Sequence, residues 1–155
     1  MQKSDENEIR SLYQMLLENW NKNNANDFAN LFCEDGNTIG FDGSQMNGRT
    51  QIKDGLAEIF LNHKVASYVG IVREVRTLAN NVFLLRAVAG MVPPGKTEIM
   101  PERNAVQSLI VTKAQDEFCI ALYQNTPAGF DGRPELTKQL TEELQVVFNS
   151  GQTIE

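Results

Sequence analysis

Histidine occurs once in this chain, as His63, and cysteine twice, as Cys33 and Cys119. A zinc or iron centre draws three or four ligands from His, Cys and carboxylates at supporting spacing, and no such cluster is written here, so no metal is expected. The two cysteines form no CxxC pair and stand far apart, so they are read as free, buried thiols. Gly36, Gly40, Gly43 and Gly48 build neither a Walker loop nor a dinucleotide fingerprint, which argues against a bound nucleotide, nicotinamide or flavin. The expected set of cofactors is empty.

Long hydrophobic runs are also missing. The apolar stretch 82–85 is typical, whereas crossing a bilayer with a helix takes ~20 residues. The segment 1–10 is polar and of mixed charge, without the apolar centre of a secretory leader. The expectation is a cytoplasmic protein without membrane contact. Positive charge is scarce: 14 Lys and Arg face 20 Asp and Glu, for a formal charge of -6. That balance repels a phosphate backbone, so nucleic acid is excluded as a partner.

What is present is an ordinary globular composition, 41% hydrophobic and 22% charged, enough for one core in a chain of 155 residues. Residues 1–150 are read as a single domain and residues 151–155 as a frayed tail. Ser4 is a candidate N-cap, and Ile9, Leu12, Tyr13, Leu16, Leu17 and Trp20 follow at three-four spacing, the mark of an amphipathic helix. The Asn-rich break 21–26 precedes a short second helix, capped by Asn26 or Asp27, with Phe28, Leu31 and Phe32 on its apolar side. Glu34-Asp35-Gly36 reads as the exit of that helix, 37–41 as a strand, Gly40-Phe41-Asp42-Gly43 as a turn and 44–47 as a returning strand. A third helix follows Gly48, with Ile52, Leu56, Ile59 and Phe60 inward, and stops near His63.

From residue 64 the period becomes that of strands. The spacing predicts strands over 65–78, 82–92, 104–113 and 117–125, joined as an antiparallel meander, with Pro93-Pro94-Gly95 as a true loop. A last helix starts at Arg133-Pro134-Glu135, with Leu136, Leu140, Leu144 and Val147 as its stripe. The architecture is α+β: a curved sheet whose hollow side is closed by helices.

The order of elements, with Trp20-Asn21 ending the first helix and 28–36 leading into a strand, resembles the nuclear-transport-factor-2-like (NTF2-like, SnoaL-like) superfamily over nearly the whole chain. The stretches 40–49, 85–95 and 123–128 are similar to a bacterial branch labelled as oxidoreductases and associated with enediyne biosynthetic clusters. No redox motif accompanies that label. The resemblance implies a cone-shaped α+β barrel with a curved mixed or antiparallel sheet, a deep apolar cavity and a homodimer through the outer sheet face. Its members range from ketosteroid isomerase and polyketide cyclases to proteins without catalysis, so fold alone selects no function.

Two residues are candidate proton carriers. Asp42 follows the first strand, in the region where the isomerase keeps its base, and an apolar cavity would raise its pKa toward neutrality. It also sits in a Phe-Asp-Gly turn, where a purely local role suffices. His63 could act as a base, or it could simply complement the dipole at the third helix's C-terminus. Tyr13 stands near the isomerase's helix-one tyrosine, but a one-residue offset turns a side chain by ~100° on a helix. That role is not carried over.

Polar residues inside apolar strands form the other group: Arg86, Asn104, Gln107, Gln124 and Asn125. A buried amide or guanidinium is costly without partners, so these either satisfy one another or await a ligand's oxygens. Alternation sets Arg86 with Leu84 and Val88, and Gln124 with Leu122 and Ile120. Trp20, Phe41, Tyr68 and Met91 could wall the cavity or simply fill the core. Three functions remain open: small-molecule binding, cofactor-independent acid-base catalysis on a hydrophobic carbonyl compound, and dimerisation without a ligand.

Overall fold

Ile9, Leu12, Tyr13, Leu16 and Leu17 recur at three-four spacing, and the computed structural model, which describes residues 1–155, buries all five along α1 (Lys3–Asn21). The helix starts earlier than Ser4 suggests, from Gln2, with Asp5 and Glu6 placed against the positive end of the dipole. Asn24 caps α2 (Ala25–Asn30): its side chain accepts from the Asp27 amide at 3.0 Å. The cap is therefore neither Asn26 nor Asp27, because the polar break closes into a turn two residues sooner.

The chain then becomes β1 (Phe32–Ile39), where the sequence suggested that Phe32 was still helical and 34–36 a helix exit. Phe32 pairs with Ile120 in a parallel ladder that resumes at Asn37 opposite Leu122, so the intervening residues form an irregularity within the strand. Gly36 is required there: a Cβ would stand 2.6 Å from the Ile120 carbonyl oxygen. After β2 (Gln45–Asn47) and α3 (Arg49–Asn62) come β3 (Ser67–Ala79), β4 (Val82–Val92), β5 (Ala105–Ala114) and β6 (Glu117–Pro127). A 3-10 turn, Pro101–Arg103, precedes β5, and α4 (Pro134–Asn149) closes the order.

One curved, mixed sheet runs β2-β1-β6-β5-β4-β3. The expected antiparallel meander holds from β3 to β6, and β1 adds to it in parallel beside β6. The sheet is open, with β2 and β3 at its edges. Residues 151–155 do not fray. Ile154 bridges Gly70 in parallel, and the amides of Gly70 and Val72 donate to Thr153 and Glu155 at 2.9 and 2.8 Å. Edge strand β3 otherwise leaves these groups unpaired, and the tail supplies their partners.

The two faces of the sheet carry separate apolar clusters. On the inner face Phe83, Leu85, Ala87, Leu109, Val111 and Ile120 meet the stripes of α1, α2 and α3. On the outer face Val69, Val92 and Ile99 meet Leu140, Leu144 and Val147 of α4.

Cys33 and Cys119 are joined in a disulfide, with their Cα atoms 4.9 Å apart. The free-thiol reading is corrected by the parallel pairing of Phe32 with Ile120, which sets the two cysteines side by side across a sequence separation of 86. A structural disulfide is the chemistry of an oxidising setting. No helix is long and apolar enough to cross a membrane.

A bulge in β6 sets which of its side chains face the helices. Ile110 pairs with Leu122 and Val111 with Ile120, so Ala121 has no partner and the alternation changes phase across it. Ile120, Tyr123 and Asn125 are consequently buried, whereas Leu122 and Gln124 take the other face. The expected grouping of Gln124 with Ile120 fails for this reason.

Candidate functional site

A hollow of about 490 Å³ opens between the helices and the inner face of the sheet, and ten of its sixteen lining residues are hydrophobic. The helices contribute Trp20, Phe28, Leu56 and Ile59; β2, β3 and β4 contribute Met46, Tyr68 and Met91. The Gly40-Phe41-Asp42 turn and Arg103 stand at its mouth, and Thr38, Tyr123 and Asn125 supply polar groups from β1 and β6.

The aromatic wall is fixed by specific bonds. The Trp20 indole donates to the Ala66 carbonyl at 2.9 Å and meets the Phe60 and Tyr68 rings edge-on at 5.3 and 5.4 Å. Asn21, immediately after Trp20, brackets the backbone of Tyr68: its side chain accepts from the Tyr68 amide at 2.7 Å and donates to the Tyr68 carbonyl at 3.0 Å. Trp20-Asn21 therefore seats the start of β3 against the end of α1.

Behind this wall lies a buried polar network in which Gln107 and Asn125 satisfy one another, one of the two alternatives the sequence left open, and which the tyrosines complete. The Tyr13 hydroxyl donates to Gln107 Oε1 at 2.7 Å. Gln107 Nε2 donates to the Tyr123 hydroxyl at 2.9 Å and to Asn125 Oδ1 at 2.7 Å. Asn125 Nδ2 in turn reaches the Tyr123 and Tyr68 hydroxyls at 3.3 and 3.4 Å. Burial pushes all three phenols above their ordinary pKa, Tyr13 and Tyr123 most. At Tyr68 that rise is countered by hydrogen bonds from Asn125 and Tyr123 and by the Arg103 charge. All three tyrosines of the chain are thus neutral donors at physiological pH.

Of the residues expected at a site, Trp20, Phe41, Asp42, Tyr68, Met91 and Asn125 line the hollow. Gln107 is wholly buried behind it, and its amide is spent on the network rather than offered to a ligand. Three other expectations are corrected. Arg86 is exposed on the outer face and pairs with Glu74 at 3.4 Å, because the alternation with Leu84 and Val88 is right but the face is the outer one. Gln124 points away across the Ala121 bulge. Asn104 is buried toward α4, donating to the Thr141 hydroxyl at 2.9 Å.

The proton-carrier candidates fare differently from one another. His63 is exposed at the C-terminal end of α3 and does not line the hollow. Asp42 reaches the rim, but it is fully exposed and accepts from the Ser44 amide at 2.9 Å. That bond holds its carboxyl below the usual carboxylate range, aided by the Arg103 charge. This is the opposite of the raised pKa that a general acid or base at neutral pH requires. No cluster of His, Cys, Asp or Glu is arranged to hold a metal ion.

Sequence reasoning missed Thr38, Arg103 and Tyr123 as lining residues and Tyr13 as a network member. For Tyr123 the signal was its i, i+2 relation to Asn125, obscured by the bulge. Thr38 is buried, and its hydroxyl has no hydrogen-bond partner.

No protein-family model matches the chain, and no curated protein matches it. Solved structures do. A domain of unknown function with a cystatin-like fold from Nostoc punctiforme superimposes with a TM-score of 0.79 at 24% identity, covering 96% of this chain and 99% of that one. An NTF2-like protein of unknown function from Shewanella oneidensis aligns with a TM-score of 0.62 at 17% identity, covering 79% and 98%. An NTF2-like protein with a cystatin-like fold from Novosphingobium aromaticivorans aligns with a TM-score of 0.65 at 13% identity, covering 86% and 88%. The chain therefore has the NTF2-like, cystatin-like fold. The oxidoreductase label of the enediyne-linked branch has no counterpart in these three descriptions.

Proposed function

We propose that this protein binds a small, largely apolar molecule in the hollow between its helices and the inner face of its sheet. The observation that carries the reading is the hollow itself. At about 490 Å³ and mostly hydrophobic lining, it falls within the ~300–1,000 Å³ typical of ligand sites. A well-packed interior leaves few voids larger than a water molecule, so a space of this size is a departure from simple core packing. Acid-base catalysis is less well supported, since Asp42 is stabilised as an anion and His63 lies elsewhere. Dimerisation through the exposed remainder of the outer sheet face is compatible with ligand binding, and no residue of the hollow depends on it.

Trp20 is the chain's one tryptophan and lines the hollow, so its emission reports on occupancy. Titration with small apolar compounds should shift that emission saturably. Leu56→Trp, which fills the space from α3, should abolish the binding heat read by calorimetry while leaving the protein folded. If neither the wild type nor any compound gives saturable heat or emission change, the binding reading fails.

A further inference from the structure

The polar side of the hollow has a direction. Tyr123 accepts from both Gln107 and Asn125, which occupies the two lone pairs of its oxygen and leaves its own hydrogen to donate. Tyr68 also accepts from Asn125. The relay begun by Tyr13 thus ends at the Tyr68 hydroxyl, whose hydrogen has no acceptor in the protein and which lines the hollow. Burial keeps these phenols protonated, so the relay cannot reverse by ionising.

Two further groups on the same lining lack partners. Thr38 is 4% exposed, and its hydroxyl bonds to nothing. Most buried hydroxyls are satisfied, so an unpartnered one on a residue that lines a cavity marks a place for an outside atom. Arg103 is exposed at the mouth, makes no ion pair, and lies 4.5 Å over the Phe41 ring, which fixes its plane. Asp42 shares the rim without pairing with it, being engaged by the Ser44 amide.

Resting on the binding reading above, we infer that the ligand is an apolar molecule bearing a carboxylate, which Arg103, the Tyr68 hydroxyl and the Thr38 hydroxyl recognise. A carboxylate is an acceptor only, and each of these three groups can donate to it. Among them an alkylammonium ion could use only the Thr38 oxygen as a free acceptor, and it would face the Arg103 guanidinium, while the Asp42 carboxylate at the rim already accepts from the Ser44 amide. A ketone could take the Tyr68 hydrogen but would gain nothing from the Arg103 charge.

Calorimetry on the full chain with two skeletons tests this: octanoate against octan-2-one and octylammonium, and 2-naphthoate against 2-acetylnaphthalene. The carboxylate of each accepted skeleton should bind about tenfold or more tighter than its ketone, as charge-assisted bonds imply, and the ammonium ion should not bind. Arg103→Gln, at an exposed site, should erase that margin and leave ketone binding as it was. Thr38→Val should weaken the carboxylate by a smaller factor. Equal affinity for carboxylate and ketone, preference for the ammonium ion, or an unchanged carboxylate affinity in Arg103→Gln would each overturn the carboxylate inference while leaving the pocket reading intact. Failure of every compound would overturn the pocket reading itself.

Discussion

Replacing Gln107 by leucine tests whether the buried network is held as described. Gln107 is wholly buried and makes three hydrogen bonds, one accepted from Tyr13 and two donated to Tyr123 and Asn125. Leucine approximates its volume, so the packing change is small and the loss is polar. The Tyr13 hydroxyl, itself inaccessible, loses its acceptor, and Asn125 Oδ1 loses its donor. A buried group left unsatisfied costs ~1–3 kcal/mol, so two orphans together should cost roughly 2–6 kcal/mol. Urea unfolding followed by far-UV circular dichroism measures this as a lower midpoint at unchanged slope.

The sharper arm of the experiment is the second substitution. Tyr13→Phe alone strands the Gln107 oxygen and should destabilise. In the Gln107→Leu background the same change removes an already orphaned hydroxyl and should be neutral or stabilising, for a coupling of about 1–3 kcal/mol. Strict additivity of the two, or a loss below ~1 kcal/mol for Gln107→Leu, would falsify the network, because an isolated hydroxyl of that kind is never so cheap to strand.

Three other outcomes are expected. Because all three tyrosines have folded pKa values above the ordinary 10.0, the unfolded state sheds phenolic protons first; stability is full below pH 10 and falls above it, by up to about 1.4 kcal/mol per pH unit per tyrosine. Tyrosinate absorbance near 295 nm should accordingly rise together with loss of helical dichroism, and a phenol titrating at 10 in the folded protein would contradict the burial. The Cys33–Cys119 bridge closes a loop spanning 86 residues, for which chain entropy gives about 4–5 kcal/mol, so dithiothreitol should lower the thermal midpoint and thiol titration before reduction should read none. In Gly70→Ala the new Cβ would stand 2.5 Å from the Tyr13 hydroxyl and 3.0 Å from Leu17, and such overpacking should cost ~1–3 kcal/mol by urea unfolding.

The sequence made the elements readable wherever a side-chain period decided them. The stripe of α1 is an unbroken three-four series, and β4 spans 82–92 because Val, Leu and Ala alternate there between two turn signals. Most of the aromatic lining was likewise legible, since Trp20, Tyr68 and Met91 end or begin elements that converge at one end of the molecule. What could not be read was pairing. Phe32 has the same local surroundings in a helix as in a strand, and only its partner Ile120, far along the chain, makes it β. The disulfide and the seating of the tail beside Gly70 follow from the same kind of long-range neighbour.

The Ala121 bulge shows how one unpaired residue turns a core strand into the wall of a site. Without it, strict alternation from Ile120 would carry Leu122 and Gln124 inward and leave Tyr123 and Asn125 outside. With it, Ile120 still packs in the core, and the next two inward positions become a phenol and an amide beside Gln107. Those two groups are what connect Tyr13, fixed in α1, to Tyr68 at the lining of the hollow. The polar character of the site therefore depends on backbone irregularity as much as on residue choice. An otherwise identical strand of regular register would turn Leu122 and Gln124 inward in place of Tyr123 and Asn125, and the link from Tyr13 through Gln107 to Tyr68 would be lost.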